Sequence, residues 1–318
     1  MPKELPPNPL TKSDQPFVLA KGELSKKFRI LKLDEVEKLG LVKKAKPEKR
    51  RENKEGEVSL GQAQEIMGAD FLGAEAVEKT FGFMPEDVPP IPFSASELER
   101  ARELNQFLEL RIDKTADGQP LNMEKMYKLL QPEFTAGNNG RILNSHGKAD
   151  SWYKSESFLK DTPRASWVLV SKDVIPDSLS KNFLQQTEVI TNYLKNEVFK
   201  GQELPDVYKE AVEEFEAKKA GIAAILTSNW QEAAKQLSEL KINQLTRQLP
   251  VETMYDFVMY FKNNKKRLLE GKYTWTYRRA SAGGLVLVGY FASGGASVGL
   301  WTPADVGGIR GVVFSRSL

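Results

Sequence analysis

An α+β fold is predicted for this 318-residue chain by three features of its order. Two short apolar runs with the character of strands lie at Leu108 to Ile112 and Trp167 to Val170. A long stretch from Leu179 to Leu269 carries the period of helices. After Lys272 the chain closes on a Gly-punctuated apolar stretch rich in strand-forming residues.

Residues 1–58 are expected to form a flexible basic segment. Pro2, Pro6, Pro7 and Pro9 open it, and Lys43 to Lys54 sets seven Lys and Arg against only Glu48 and Glu52. Such a run is a solvated tail or linker, or else an arm for nucleic acid or another acidic partner; nucleic acid is offered no other place on this chain. Within 59–93, Leu60 to Met67 and Phe71 to Phe81 read as two short helices divided by Gly68. Pro85, Pro89, Pro90 and Pro92 then make a stiff connector, which places a domain boundary near Phe93.

The domain proper is expected over 94–318. Ser96, with Glu99 three residues on, reads as a capping-box start for a helix over Leu98 to Asn105. Leu108, Leu110 and Ile112 alternate with Glu109 and Arg111, the period of a half-buried strand, and Asp117 and Gly118 turn the chain. Met123 to Leu130 reads as a helix ended by Pro132, and Trp167 to Val170 as a second strand. Within 179–269, Phe183, Thr187, Ile190 and Leu194 share one helix face, and Met254, Phe257, Val258 and Phe261 share another. Pro205 and Pro250 start new helices, where the missing N–H costs nothing. These helices are expected to be an insertion in the fold or an elaboration flanking its core.

Composition narrows the chemistry. With no cysteine there is no thiolate nucleophile or Cys-based zinc site, and the single histidine, His146, makes a His relay or His-rich metal site a poor reading. No phosphate loop or nucleophile elbow is present, so neither cofactor nor catalytic residue is assigned. A formal charge of +3 is too balanced for a nucleic-acid surface over the whole molecule. The first residues lack the apolar core of a signal peptide, which makes the cytoplasm the expected location. The uncharged run Ala280 to Ala304 is long enough for a bilayer, but its glycines and serines argue against a membrane span.

The composition changes abruptly after Lys272. Lys and Glu supply 62 of the first 272 residues, yet 273–318 holds no Lys, Glu, Gln, Met, His or Asn. A uniform composition gives the absence of Lys and Glu alone a chance of about one in a hundred thousand. Trp275, Leu285, Val286, Val288, Phe291, Trp301, Val313 and Phe314 read as a compact β core. Tyr277, Ala282, Leu287, Tyr290, Ala292, Ser293, Ser297, Gly299, Leu300, Thr302, Ala304, Asp305, Val306, Gly308, Ile309 and Arg310 share no physical property, as a displayed surface would.

The segments YTWTYRRAS, GGLVLVGYF, GGASVGLWTP and GVVFSRSL resemble the variable region of the target proteins of diversity-generating retroelements. VPPIPFS, NQFLELRIDK and KINQLTRQLPVE extend the likeness over roughly 61–318. The resemblance implies a C-type-lectin-like fold related to the formylglycine-generating enzyme, with 273–318 as a hypervariable ligand-binding region. In that family template adenines are randomised, so AAC codons become codons ending in C, which never encode Lys, Glu, Gln, Met or Trp. The sixteen scattered positions are then the variable ligand-binding residues, and Trp275 and Trp301 belong to the scaffold. The chain departs from calcium-dependent lectins, with Trp301-Thr302-Pro303 where an oxygen-ligand motif stands in them, and it lacks the cysteines of the enzymatic relatives. What the likeness implies is a non-enzymatic binding protein; the uncharged, Tyr- and Leu-bearing face itself points to a protein or other apolar-tolerant ligand more than to nucleic acid. A structural or assembly protein without a diversified face is the alternative, and an enzyme of the same fold the more remote one. As C-type-lectin folds bring their ends together, Leu108 to Ile112 is expected to lie near the strand over Val312 to Ser315.

Overall fold

The computed structural model describes residues 18–20, 29–31, 58–146 and 151–317. The chain divides into a unit over Met1–Glu52 and a unit over Asn53–Leu318. In the first, strands β1 (Val18–Ala20) and β2 (Arg29–Leu31) pair antiparallel, with Leu19 opposite Ile30. The basic run Lys43 to Lys54 lies outside the described residues.

The second unit opens with helix α1 (Leu60–Met67), whose Ser59 and Gln62 form a reciprocal capping box. A single 3₁₀ turn, Gly68–Asp70, leads into strand β3 (Phe71–Leu72), and helix α2 (Ala74–Phe81) ends on Gly82 in the left-handed region, at φ 83°. The boundary expected near Phe93 is not one. Ile91 and Phe93 are buried with Met67, Leu72 and Val77, and these share one core with Leu108, Trp167 and Phe257, so 59–93 is part of the same folded body. Burial of the connector's apolar side chains outweighs the linker character of its prolines.

Helix α3 (Ala95–Glu103) starts earlier than the sequence suggests. The segment Ser94–Glu99 contains the Ser-x-x-Glu spacing twice, and the chain uses Ser94 with Glu97 in place of Ser96 with Glu99. Glu97 decides the choice, because its second oxygen also accepts from Arg316 Nη1 at 2.8 Å. Helix α4 (Met123–Ala136) runs on through Pro132, where a stop was expected. Its buried stripe of Met123, Met126, Leu130 and Phe134 spans both sides of the proline, and that burial offsets one missing main-chain hydrogen bond.

Two four-stranded sheets organise the unit. In the first, strand β4 (Gln106–Arg111) pairs antiparallel with β5 (Ser166–Ser171) over six residues and parallel with β3. The C-terminal strand β10 (Ser315–Arg316) adds to the far side of β5. Residues 106–111 and the C-terminal strand therefore share a sheet, as expected, but with β5 between them. The second sheet has the order β8 (Ser297–Trp301), β7 (Leu285–Gly289), β6 (Tyr273–Arg279), β9 (Arg310–Gly311).

Alternation along the second sheet divides the core in two. Side chains of paired residues share a face, so Trp275 and Leu287 point one way while Thr274, Val288 and Val298 point the other. Val286, Val288 and Val298 pack with helix α9 (Pro250–Asn264) and the first sheet. Trp275, Leu285 and Leu287 pack with helices α5 (Phe183–Tyr193), α6 (Asp206–Ile225), α7 (Trp230–Glu239) and α8 (Lys241–Thr246). A one-turn π-helix, Leu194–Val198, extends α5.

Of the helices expected to flank the fold, α5 to α8 do cover one face of a sheet. Helix α9 does not flank anything: every residue from Pro250 to Lys262 is buried, and Phe257 stacks on Phe291 with ring centroids 5.0 Å apart. It starts with Pro250 in its first turn, as the sequence requires. Strand β4 is likewise buried on both faces, with Glu109 and Arg111 at most 2% exposed, as are Leu108 and Leu110. The half-buried reading fails because α9 brings carboxylates to the polar side of the strand.

Candidate binding face

The residues of 273–310 fall into three environments. Leu287 is 1% exposed and Trp275 fully buried, both beneath α5 to α8. Leu287 is therefore scaffold and not a displayed position. Trp301 is the converse correction: read as core, it is 46% exposed at the end of the edge strand β8. Strand period misleads here because the helical layer that covers Trp275 and Leu285 does not reach the edge strand.

The second environment consists of turns clamped by neighbouring segments and of half-buried positions at the end of β6 and along β8. Tyr277 is half-buried, its amide donating to the main-chain oxygen of Gln248 at 3.4 Å, and burial raises its phenol. Ala282 is exposed in the turn closed by Ala280 and Gly284. Ala292 and Ser293 lie in the turn after β7, where Arg141 N donates to Ser293 O at 2.9 Å. A Cβ on Gly140 would come within 2.0 Å of that oxygen, so only glycine fits there. Ser297, Gly299 and Leu300 are half-buried along β8.

The third environment is a surface linked contact by contact. Tyr290, 42% exposed, packs tilted against Tyr273 with centroids 5.3 Å apart. Tyr273 N donates to Ile309 O at 2.8 Å. Next to Ile309, the Arg310 guanidinium lies over the Trp301 indole at 4.1 Å and donates from Nη2 to Val306 O at 2.8 Å. Val306 is 51% exposed, Ile309 46%, and Gly308 is also exposed.

The loop that carries these groups is fixed at both ends. Asp305 accepts from the amide and hydroxyl of Thr302, each at 2.8 Å, closing a turn that includes Ala304. Phe183 N donates to Pro303 O, Ser180 N to Gly307 O, and Gln186 Nε2 to Arg310 O, all within 3.2 Å. A Cβ on Gly307 would meet Arg310 Nε at 2.3 Å, so a larger residue there would displace the guanidinium from its place over Trp301. A surface held in this way loses little conformational entropy when it meets a ligand.

Charge is sparse on this surface. Arg278 pairs with Asp161 at 2.8 Å, and Arg316 is buried against Glu97 at 2.8 Å. Neither Arg279 nor Arg310 has a carboxylate partner among the described residues.

Sequence reasoning missed one cluster of ionisable residues altogether. Arg111 lies between Asp256, at 2.8 Å, and Glu109, at 3.0 Å, while Glu252 accepts from Arg164 Nε at 2.9 Å. A signal for it exists. Glu252 and Asp256 stand four residues apart in a run, Pro250 to Phe261, that is otherwise apolar or aromatic but for Thr253, and such carboxylates need buried cationic partners. Among the described residues no helix is long and apolar enough to cross a membrane, and Ala280 to Ala304 forms two strands and their turns. No protein-family model, curated protein or solved structure matches the chain.

Proposed function

We propose that this chain is a non-enzymatic binding protein of C-type-lectin-like fold, with a protein ligand, and that a diversity-generating retroelement varies the residues that meet the ligand. The varied part of the contact surface is Tyr290, Val306, Ile309 and Arg310, and Tyr273 and Trp301 are fixed residues that these pack against. One observation carries the reading. Among the described residues nine large hydrophobic side chains are exposed, and four of them, Tyr290, Trp301, Val306 and Ile309, lie within 290–309. This is the stretch from which Lys and Glu, the usual residues of solvent faces, are missing. A depleted alphabet by itself fits a buried β core; a depleted alphabet on exposed positions fits a displayed surface.

The fold assignment is supported by the C-terminal strand joining the sheet of β4 and by the three-stranded antiparallel run β6–β7–β8 that precedes it. The ligand class rests on the surface itself: Tyr and Trp offer large rigid contacts at low entropic cost, and the scarcity of unpaired cations gives phosphates little to hold.

Sequencing the gene's surroundings tests the reading. A near-copy of the segment encoding 273–318, differing chiefly at adenines and lying beside a reverse-transcriptase gene, is the expected result. Absence of any such copy would return the chain to a fixed structural or assembly role.

A further inference from the structure

Five ionisable side chains meet between the two sheets. Glu109 and Arg111 come from β4, Glu252 and Asp256 from α9, and Arg164 from the segment ahead of β5. The first four are each at most 2% exposed, while Arg164 reaches solvent on its outer side. Three carboxylates against two guanidiniums leave one negative charge in excess, and an uncompensated buried charge is strongly destabilising.

Hydrogen bonding shows which group absorbs the excess. Asp256 takes a two-pronged contact from Arg111, with distances of 2.8 to 3.0 Å. Glu252 accepts from the Arg164 guanidinium on both oxygens, at 2.9 and 3.4 Å, and on the second also from the amide of Leu249 at 2.7 Å. Glu109 accepts from Arg111 Nε on Oε1 only, and its Oε2 receives no N–H or O–H among the described residues. Glu109 Oε1 and Asp256 Oδ1 instead both lie 3.0 Å from the same Arg111 Nε, which brings the two carboxyls against one another on a single N–H. Two carboxyl groups hold such a contact only when a proton lies between them.

We propose that Glu109 and Asp256 share one proton in the folded protein and that the pair is a proton-linked latch on the end of β6. The link runs through Gln248, whose Nε2 donates to Asp256 and whose main-chain oxygen receives the Tyr277 amide. Tyr277 sits where β6 loses register with β7, between Trp275 and Arg279, so this carbonyl holds a part of the strand that the ladder does not. With the proton present the cluster is neutral and closed. Loss of the proton adds a buried negative charge between β4 and α9; their separation relieves it and frees Gln248 and Tyr277 together.

The surrounding groups agree. Burial and the neighbouring Asp256 hold the Glu109 carboxyl well above the ordinary carboxylate range. The buried Tyr255 phenol, which donates to Leu110 O at 2.8 Å, is pushed up by burial and by Glu109, so it does not release a proton first. On the outer side Asp161 is paired with Arg278, and the Tyr277 phenol is raised by burial.

The intact chain tests this in two measurements. Infrared spectra of the folded protein at neutral pH should contain the C=O stretch of a protonated carboxyl, and Glu109→Gln should remove it. Amide exchange at Tyr277, corrected for base catalysis, should accelerate about tenfold or more on alkalinisation in the wild type and stay level in Glu109→Gln. Absence of the band from the wild type, or one pH profile for Tyr277 in both proteins, overturns the latch. If Glu109→Gln does not fold, the wild-type band and the wild-type exchange profile decide: both must be present for the latch to stand.

Discussion

At the scale of single residues, burial and not strand period separates scaffold from surface. Leu287→Ala should cost about 2–5 kcal/mol and Trp275→Ala about 3–5 kcal/mol in chemical denaturation, since each opens a cavity under α5 to α8. Trp301→Ala and Val306→Ser should stay near 0.5 kcal/mol, because neither side chain fills the core. Tyr290 gives a sharper contrast. Its φ of 52° lies in the left-handed region, a conformation that costs a non-glycine residue about 1–2 kcal/mol. Tyr290→Gly should therefore melt at or above the wild-type temperature, while any ligand found by screening binds it less well. A clear loss of stability would mean that the Tyr273 contact outweighs the backbone strain and that Tyr290 is there for packing.

At the scale of elements, the packing of β4 against α9 governs the response to charge and pH. Arg111→Met leaves three carboxyls with only Arg164 for a counter-ion and should destabilise by about 3–5 kcal/mol. The pH dependence has two limbs. Glu109 is raised in the folded state, so its contribution is full below the ordinary carboxylate range and is lost as pH climbs through its folded value. Glu252 is lowered by Arg111 and Arg164 against the opposing effect of burial, so its contribution is present above that range and is lost on acidification. Melting temperatures taken across pH should fall at both ends, and Glu109→Gln should remove only the alkaline limb.

The same two elements mark the limit of what the sequence discloses. Helix α1, the turn at Gly118 and the start at Pro250 are legible because cap residues, glycine and proline act locally. The two-sided burial of β4 is not, since Glu109 and Arg111 keep the alternation of an exposed strand until Asp256, 145 residues away from Arg111, arrives to pair with them. The candidate surface was legible in its alphabet but not in its geometry. Nothing local distinguishes Leu287 from Leu300, or Trp275 from Trp301; the reach of α5 to α8 does.

At the scale of the whole molecule, the unit over Asn53–Leu318 is one folding body. A fragment covering 58–318 should unfold in a single transition close to that of the full chain. A fragment covering 94–318 should fail to fold, because it strips Met67, Leu72, Val77 and Phe93 from the shared core. Differential scanning calorimetry of the two fragments separates these outcomes, and a stable 94–318 would restore the boundary that the prolines suggested. Shortening the chain by the strand Ser315–Arg316 should act at a distance as well, since Arg316 pairs with the capping residue Glu97 and lies over Phe93 at 4.9 Å.

If position 290 is diversified as proposed, its left-handed backbone also works as a filter on heredity. Whatever codon arrives there, the main chain has already set a toll: glycine, asparagine and aspartate pass freely, tyrosine passes at a penalty, and valine, isoleucine and threonine meet the steepest one. A library randomised at this position and sorted for folding alone should come back thinned of β-branched residues before any ligand has been offered. Under the proposed diversification, the repertoire that reaches selection is thus smaller than the repertoire that is encoded, and its skew is written in a torsion angle.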